Sequence, residues 1–284
     1  MEHRVAPAGR GLAWLRQAIG MLDRNPRGLI QIACAYVLIE FVPNLLVGAL
    51  PDLAFAFSIL LLLLGPALMA GLLHAIDQAD AGHPLSPLQL FEGLRRPGVR
   101  AQLLVLGVFM LVEVVLIGLL VQRVLGPGNW NVLLQVANQQ IKPDSPAAQA
   151  AAIPMLKAMM AALAVGFFLL TGLFFAVPRV MFDGRGAATS VVESFVACAA
   201  NVLPLTVYGL LLIVGLFAMG VVLGIVAAVL GLFGAVGQLL IVPVIVAMGV
   251  LWLLVSASGN YLAWREVFGR SGAGKPPPRA GILV

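Results

Sequence analysis

Charged residues cut this chain into long apolar runs. Gly28 to Leu50 lies between Arg27 and Asp52, and Leu53 to Leu73 ends at His74. Ala101 to Gln122 lies between Arg100 and Arg123, and Ala158 to Pro178 between Lys157 and Arg179. Each run is about the 20 residues that carry a helix across a bilayer. From Ser194 to Trp264 there is no charged residue at all. That stretch accommodates a lead-in helix and two spans, with a glycine-rich turn near Gly231 to Gly237. Runs such as Ile59 to Leu64 do not alternate apolar with polar residues, so a transmembrane β-barrel is a poor fit. The pattern predicts an all-α polytopic membrane protein of six transmembrane helices.

Composition agrees. Of the 284 residues, 61% are apolar and 10% are charged, whereas a soluble domain carries about 25% charged residues. Charge this sparse does not cover a water-facing surface. An even number of spans puts both chain ends on one side. Of the 17 Lys and Arg residues, only Arg123, Lys142 and Lys157 fall on the opposite side. The positive-inside rule therefore makes both termini cytoplasmic. The net charge of +5 is accounted for by basic loops on an anionic inner leaflet, and nucleic-acid binding is not needed. The N-terminus does not read as a signal peptide, because no short apolar core with a small-residue cleavage site follows its basic stretch. Cys34 and Cys198 lie in apolar helical segments, in no pattern that suggests a disulfide or a metal.

Three cytoplasmic segments read as amphipathic helices at the membrane interface. In the first, Gly11 to Pro26, Leu12, Leu15, Ile19 and Leu22 form one face at helical spacing, and Trp14 suits the headgroup level. The second is S-P-L-Q-L-F-E-G-L-R-R-P. Here Ser86 and Gln89 have capping-box spacing and Pro87 fits the first helical position. The third is S-V-V-E-S-F-V-A-C-A-A-N, with Ser190 as the expected cap and Glu193 closing the box. An offset of 104 matches Ser86 to Ser190 and Phe91 to Phe195. An offset of 73 matches Arg27 to Arg100 and Glu40 to Glu113. These matches predict one domain over 1–268 built from three units, about 11–80, 86–182 and 187–268. Each unit is an interfacial helix followed by a membrane hairpin. Residues 269–284 read as a disordered cytoplasmic tail.

The chemistry inside the spans rests on two acids. Glu40 follows Arg27 by 13 residues, and Glu113 follows Arg100 by 13. At the helical rise both lie roughly 20 Å from a headgroup-level arginine, near the bilayer midplane. An ionised carboxylate facing lipid costs several kcal/mol, so both should face the bundle interior or a wet cavity. They form a candidate proton or cation site. The alternative is a pair of protonated acids tying helices together through backbone carbonyls, Asn44, Thr171 or Tyr208. A passage reaching both acids favours transport, and a filled bundle favours a structural role. His74, Asp77, Asp80 and His83 have intervals of three but read as a solvated helix end rather than a metal site. Gly269 to Pro276 resembles a phosphate loop but lacks the Ser or Thr after Lys275. No cofactor is expected. The Gly220…Gly224 pair and the Ala67…Gly71 pair read as sites of close helix packing within the chain. The amide-rich segment Asn129 to Ile141 suits the outer membrane surface or a periplasmic partner, and the Ala-rich stretch after it reads as a flexible link.

The end of the last span, Y-L-A-W-R-E-V-F-G (Tyr261 to Gly269), is the most distinctive piece. Together with Trp14…Asn25-Pro26 and Ser190…Asn201…Pro204, it resembles uncharacterised six-helix proteobacterial inner-membrane families. More distantly, it is similar to the membrane domain attached to some glycerophosphodiester phosphodiesterases. The phosphodiesterase domain is not part of this sequence, so that activity is not implied. Arg27, Arg100, Trp264 and Arg265 are the candidate lipid-headgroup contacts, since arginine meets lipid phosphate at that depth. The leading expectation is a non-enzymatic inner-membrane scaffold or accessory factor in envelope or lipid handling. Its expected partners are membrane lipids and an unidentified membrane or periplasmic protein. The runner-up is a small proton- or cation-coupled transporter using Glu40 and Glu113.

Overall fold

The chain runs as α1 (Arg10–Met21), α2 (Pro26–Leu46), α3 (Pro51–Asp80), a 3-10 turn (Pro87–Phe91), α4 (Glu92–Arg95), α5 (Pro97–Leu125), α6 (Pro127–Ala137), α7 (Pro146–Phe174), α8 (Ala176–Asp183), α9 (Ala187–Ala200), α10 (Val202–Gly231) and α11 (Gly234–Val267). This computed structural model describes residues 3–142 and 144–269, apart from the side chain of Gln238, and no strand forms among them. Proline opens α2, α3, α5, α6 and α7, where its missing N–H costs nothing and its fixed φ already suits a helix. Asn25 caps α2 by accepting from the Gly28 N–H at 3.2 Å, and Ser145 caps α7 from the Ala148 N–H at 3.3 Å. Gly184 closes α8 in the left-handed region at φ 64°, a conformation open to glycine without a Cβ penalty.

Six segments of the described chain are long and apolar enough to cross a membrane: α2, α3, α5, α7 continued by α8, α10 and α11. The shortest, α2, has 21 residues, or about 31 Å at the helical rise, enough for a hydrocarbon core of about 30 Å. They stand in an open arc. α3 packs on α2 and on α5, α5 on α7, α10 on α11, and α11 back on α2 and α3. Between α7 and α10 there is no substantial contact, and α9 bridges them only at one end.

That same end gathers α1, the 3-10 turn, α4, α8 and α9, and most of the buried core belongs to it: Trp14, Ile32, Leu72, Ile76, Leu90, Phe175, Val180, Tyr261 and Trp264. Glycines allow the close approaches there. A Cβ on Gly71 would lie 1.8 Å from Leu90 O, and one on Gly93 would lie 2.4 Å from Ala67 O. The Ala67…Gly71 pair therefore packs within the chain. Gly220 and Gly224 do not, since each faces open space. Of all α10, only Pro204 and Tyr208 are buried.

Several local expectations need correction. The buried face of α1 is Gly11, Trp14, Ala18 and Met21, while Leu12 and Ile19 are exposed; long-range packing, rather than α1's own apolar stripe, chooses its orientation. The second segment is a 3-10 turn and a single α turn, not a continuous amphipathic helix. Gln89 Oε1 does accept from the Ser86 N–H at 3.3 Å. The third segment starts at Ala187 with Gly186 as its cap. Ser190 is therefore already inside the helix, and Glu193 bonds Arg179 instead of closing a box. The Ala-rich stretch is the first part of α7, not a link. The proposed tail from 270 onward, including Lys275, lies outside the described residues.

Candidate functional site

The arc of spans encloses a cavity of about 780 Å³. Every long helix contributes to its wall: Tyr36, Glu40, Pro43 and Asn44 from α2; Ser58, Leu62, Pro66 and Met69 from α3; Met110 from α5; Leu170 and Phe174 from α7; Leu212 from α10; and Ser256 and Asn260 from α11. Tyr36, Glu40 and Asn44 are spaced by four residues, so they line one face of α2 a turn apart. From Ser58 to Met69 the wall runs about 16 Å along α3 at the helical rise. The lining is mostly aliphatic and aromatic, with no Lys, Arg or His.

Prolines shape this wall. Pro178 has no N–H to offer the carbonyl four residues back, Phe174, and the helix breaks there between α7 and α8. Neighbouring helices take up the freed groups. Asn260 Nδ2 donates to Phe174 O at 2.7 Å, and Ser194 Oγ accepts from the Phe175 N–H at 3.0 Å while donating to Thr171 O. Pro43 and Pro66 lie within α2 and α3, and each deprives the carbonyl four residues back, Ile39 or Leu62, of its helical partner.

Several other donors around the cavity are also committed, though among the described residues the Tyr36 hydroxyl and the Asn44 amide are not. Tyr208 Oη donates to Ser256 O at 3.1 Å, Ser256 Oγ to Leu253 O at 3.1 Å and Ser58 Oγ to Ala54 O at 2.9 Å. Thr171 Oγ1 donates to Phe168 O at 2.6 Å. Neither Thr171 nor Tyr208 bonds a carboxylate, so that version of a structural acid pair does not form. Asn260 Oδ1 is buried without a partner.

The two acids are not equivalent. Glu40 lines the cavity. Glu113 does not; its Oε1 is buried without a hydrogen-bond partner. Their helices, α2 and α5, flank α3 on different sides. The cavity therefore meets one acid, and the bundle is neither a passage reaching both nor a filled core.

The expected headgroup residues divide as well. Arg27 and Arg100 are exposed at the first turns of α2 and α5. Trp264 is wholly buried, with its ring stacked on Phe182 and its Nε1 donating to Asp183 Oδ2 at 3.2 Å. It does not reach a headgroup. Arg265 bonds Asp80 and lies over the Tyr261 ring at 5.3 Å. These contacts belong to a polar clasp that sequence reasoning missed. Glu266 accepts from Arg10 Nε and Nη2 at 2.7 and 2.6 Å and from Trp14 Nε1 at 2.8 Å. The hydrogen bond to Glu266 raises the Arg10 pKa above its ordinary value. Tyr261 Oη donates to Asp77 Oδ1 at 2.8 Å, and Arg179 bridges Glu193 and Asp183. Asn201 Oδ1 accepts from the Ala6 N–H at 2.8 Å, and its Nδ2 donates to Arg4 O at 3.0 Å. The motif Tyr261 to Gly269 is thus an internal fastening. The available signal was its acids: Asp77, Asp80, Asp183, Glu193 and Glu266 all fall on the side that holds most of the arginines.

The chain is 27% identical over 276 residues to a protein of Burkholderia thailandensis named a probable inner membrane protein, covering 95% of this chain and 94% of that one. No protein-family model matches the chain, and no solved structure does.

Proposed function

We propose that this is a non-enzymatic inner-membrane protein that holds a small amphiphile inside its bundle, as an accessory factor in lipid or envelope handling. One observation carries the reading: a cavity of about 780 Å³, apolar with a few polar groups, inside an arc that is unsealed between α7 and α10. Its size suits one drug-sized molecule. The unsealed side gives access from the lipid layer rather than from water. The name of the Burkholderia thailandensis relative supports the inner membrane, and the arginine bias supports cytoplasmic termini. In this reading the spans form three hairpins, each entered from a segment at the cytoplasmic interface. A scaffold function toward a membrane or periplasmic partner remains compatible with the outer segment α6.

The test is purification in a mild detergent followed by mass spectrometry of the bound small molecules. A defined species, depleted in Gly65→Leu but not in Gly220→Leu, supports the reading. A Cβ at Gly65 meets only Met110, at 3.8 Å, so leucine there grows into the cavity. Identical bulk lipid in wild type and Gly65→Leu, with both folded, overturns it. The second reading, a small transporter, is favoured by Pro43 and Pro66 in the cavity wall, where broken hydrogen bonding permits bending. It predicts uptake by proteoliposomes that Glu40→Gln abolishes.

A further inference from the structure

We infer that the occupant of the cavity carries a positive charge on an apolar body: a lipophilic amine or quaternary ammonium, seated with its head against Glu40. This deepens the amphiphile reading and rests on it.

The polar inventory of the wall points one way. The hydroxyls of Tyr208, Ser256 and Ser58 and the amide N–H₂ of Asn260 each donate to a backbone carbonyl. Tyr36 and Asn44, a turn to either side of Glu40, keep donors free to steady its carboxylate. Glu40 accepts no hydrogen bond among the described residues and opens onto the cavity. The carbonyl of Leu62 has lost its helical donor to Pro66. An acid within a membrane ordinarily pairs with a cation of the same protein. Here no lining residue is basic, so the counter-charge must come with the ligand. A phosphate-bearing head would find nothing to neutralise it, which disfavours anionic and zwitterionic lipids.

The aromatic residues agree. Tyr36 stands one turn from Glu40 on α2, and both line the cavity. Ring faces attract ammonium groups, most strongly where water is excluded. A carboxylate beside an aromatic ring in an apolar wall is a setting for an organic cation. Bare metal ions, which need several hard oxygen ligands, are poorly served by it.

Matched probes test this: dodecyltrimethylammonium and 1-dodecanol, which share the chain and differ in the charge of the head. Binding to the wild-type protein in nanodiscs is measured by calorimetry, and the same titrations are repeated on Glu40→Gln and Gly65→Leu. Thermal unfolding confirms that each variant is folded. The ammonium probe should bind more tightly than the alcohol. Glu40→Gln should weaken the ammonium by about tenfold or more, on the scale of losing one close charge pair in a partly desolvated site, and leave the alcohol unchanged. Gly65→Leu should weaken both. Equal binding of the two probes, unaltered in Glu40→Gln but lost in Gly65→Leu, overturns the cationic head and keeps the amphiphile cavity. Binding of neither probe to wild type, or binding indifferent to Gly65→Leu, overturns the cavity reading and this inference together.

Discussion

Removing Glu266 should loosen the whole end of the bundle that gathers α1, α4, α8 and α9. Its carboxylate is shared by Arg10 and Trp14, two residues of α1 that would otherwise have no partner for these donors. Trp14 has no exposed surface. In Glu266→Ala its indole N–H is left buried and unsatisfied, a loss of about 1–3 kcal/mol. The Arg10–Glu266 pair is about one-third exposed, with side-chain exposures of 35% and 30%. Solvent screening limits its share to about 0.5–1 kcal/mol. Glu266→Ala should therefore destabilise the fold by about 2–4 kcal/mol. Glu266→Gln keeps an acceptor for Trp14 and should cost about half as much. The control is Glu92→Ala, which breaks the Arg96–Glu92 pair, an i,i+4 contact at the surface; about 0.5 kcal/mol or less is expected there. Equilibrium unfolding in mixed detergent–SDS micelles, followed by circular dichroism and tryptophan emission, reads all three. If Glu266→Ala and Glu92→Ala unfold at the same SDS fraction, the clasp does not hold α1, and the reasoning fails.

A Cβ on Gly107 would lie 2.0 Å from Leu63 O where α5 crosses α3, so Gly107→Ala should lower stability by about 1–3 kcal/mol. Gly220→Ala and Gly224→Ala, facing open space, should be neutral or stabilising by up to about 1 kcal/mol; the same SDS titration separates them. Burial pushes the Cys198 thiol up to about 12. At pH 8 it stays protonated and should resist N-ethylmaleimide until the fold is opened, as read by mass spectrometry. In a background without Cys34 and Cys198, Lys142→Cys should react with an impermeant maleimide from the periplasm. Arg95→Cys should react only after lysis, and the reverse labelling would overturn the orientation.

The membrane-spanning helices were legible because lipid imposes a simple demand, some 20 apolar residues between charges, and this chain meets it repeatedly. Where lipid is not the arbiter, the local pattern misled. Trp14 and Trp264 carry an apolar ring and one polar atom, which at the sequence level reads as a headgroup anchor. In the fold each N–H finds a carboxylate, at Glu266 and Asp183, partners far away in sequence. Glu40 and Glu113 share a distance from a headgroup arginine, and depth was all that spacing encoded. Which side of its helix each acid occupies depends on neighbours: α2 turns Glu40 to the cavity, whereas α5 turns Met110 to it and not Glu113. The cavity itself has no linear signature. Its wall gathers residues from every span, and only Pro43, Pro66 and the residue spacing 36, 40, 44 hinted at it.

The docking of α1 sets an order of events during biogenesis. The helix α1 rests on α10 and α11, which leave the ribosome long after it. Arg4 N–H donates to Val267 O at 2.7 Å, Ala6 to Asn201, and Arg10 and Trp14 to Glu266. Each of these acceptors lies at least 195 residues further along the chain than its donor. Trp14 must wait exposed at the membrane surface while the intervening spans insert, and the final spans then lock the opening segment into place. A nascent chain stalled before Glu266 would leave that segment undocked, an accessible mark by which quality-control proteases can tell an unfinished copy from a finished one.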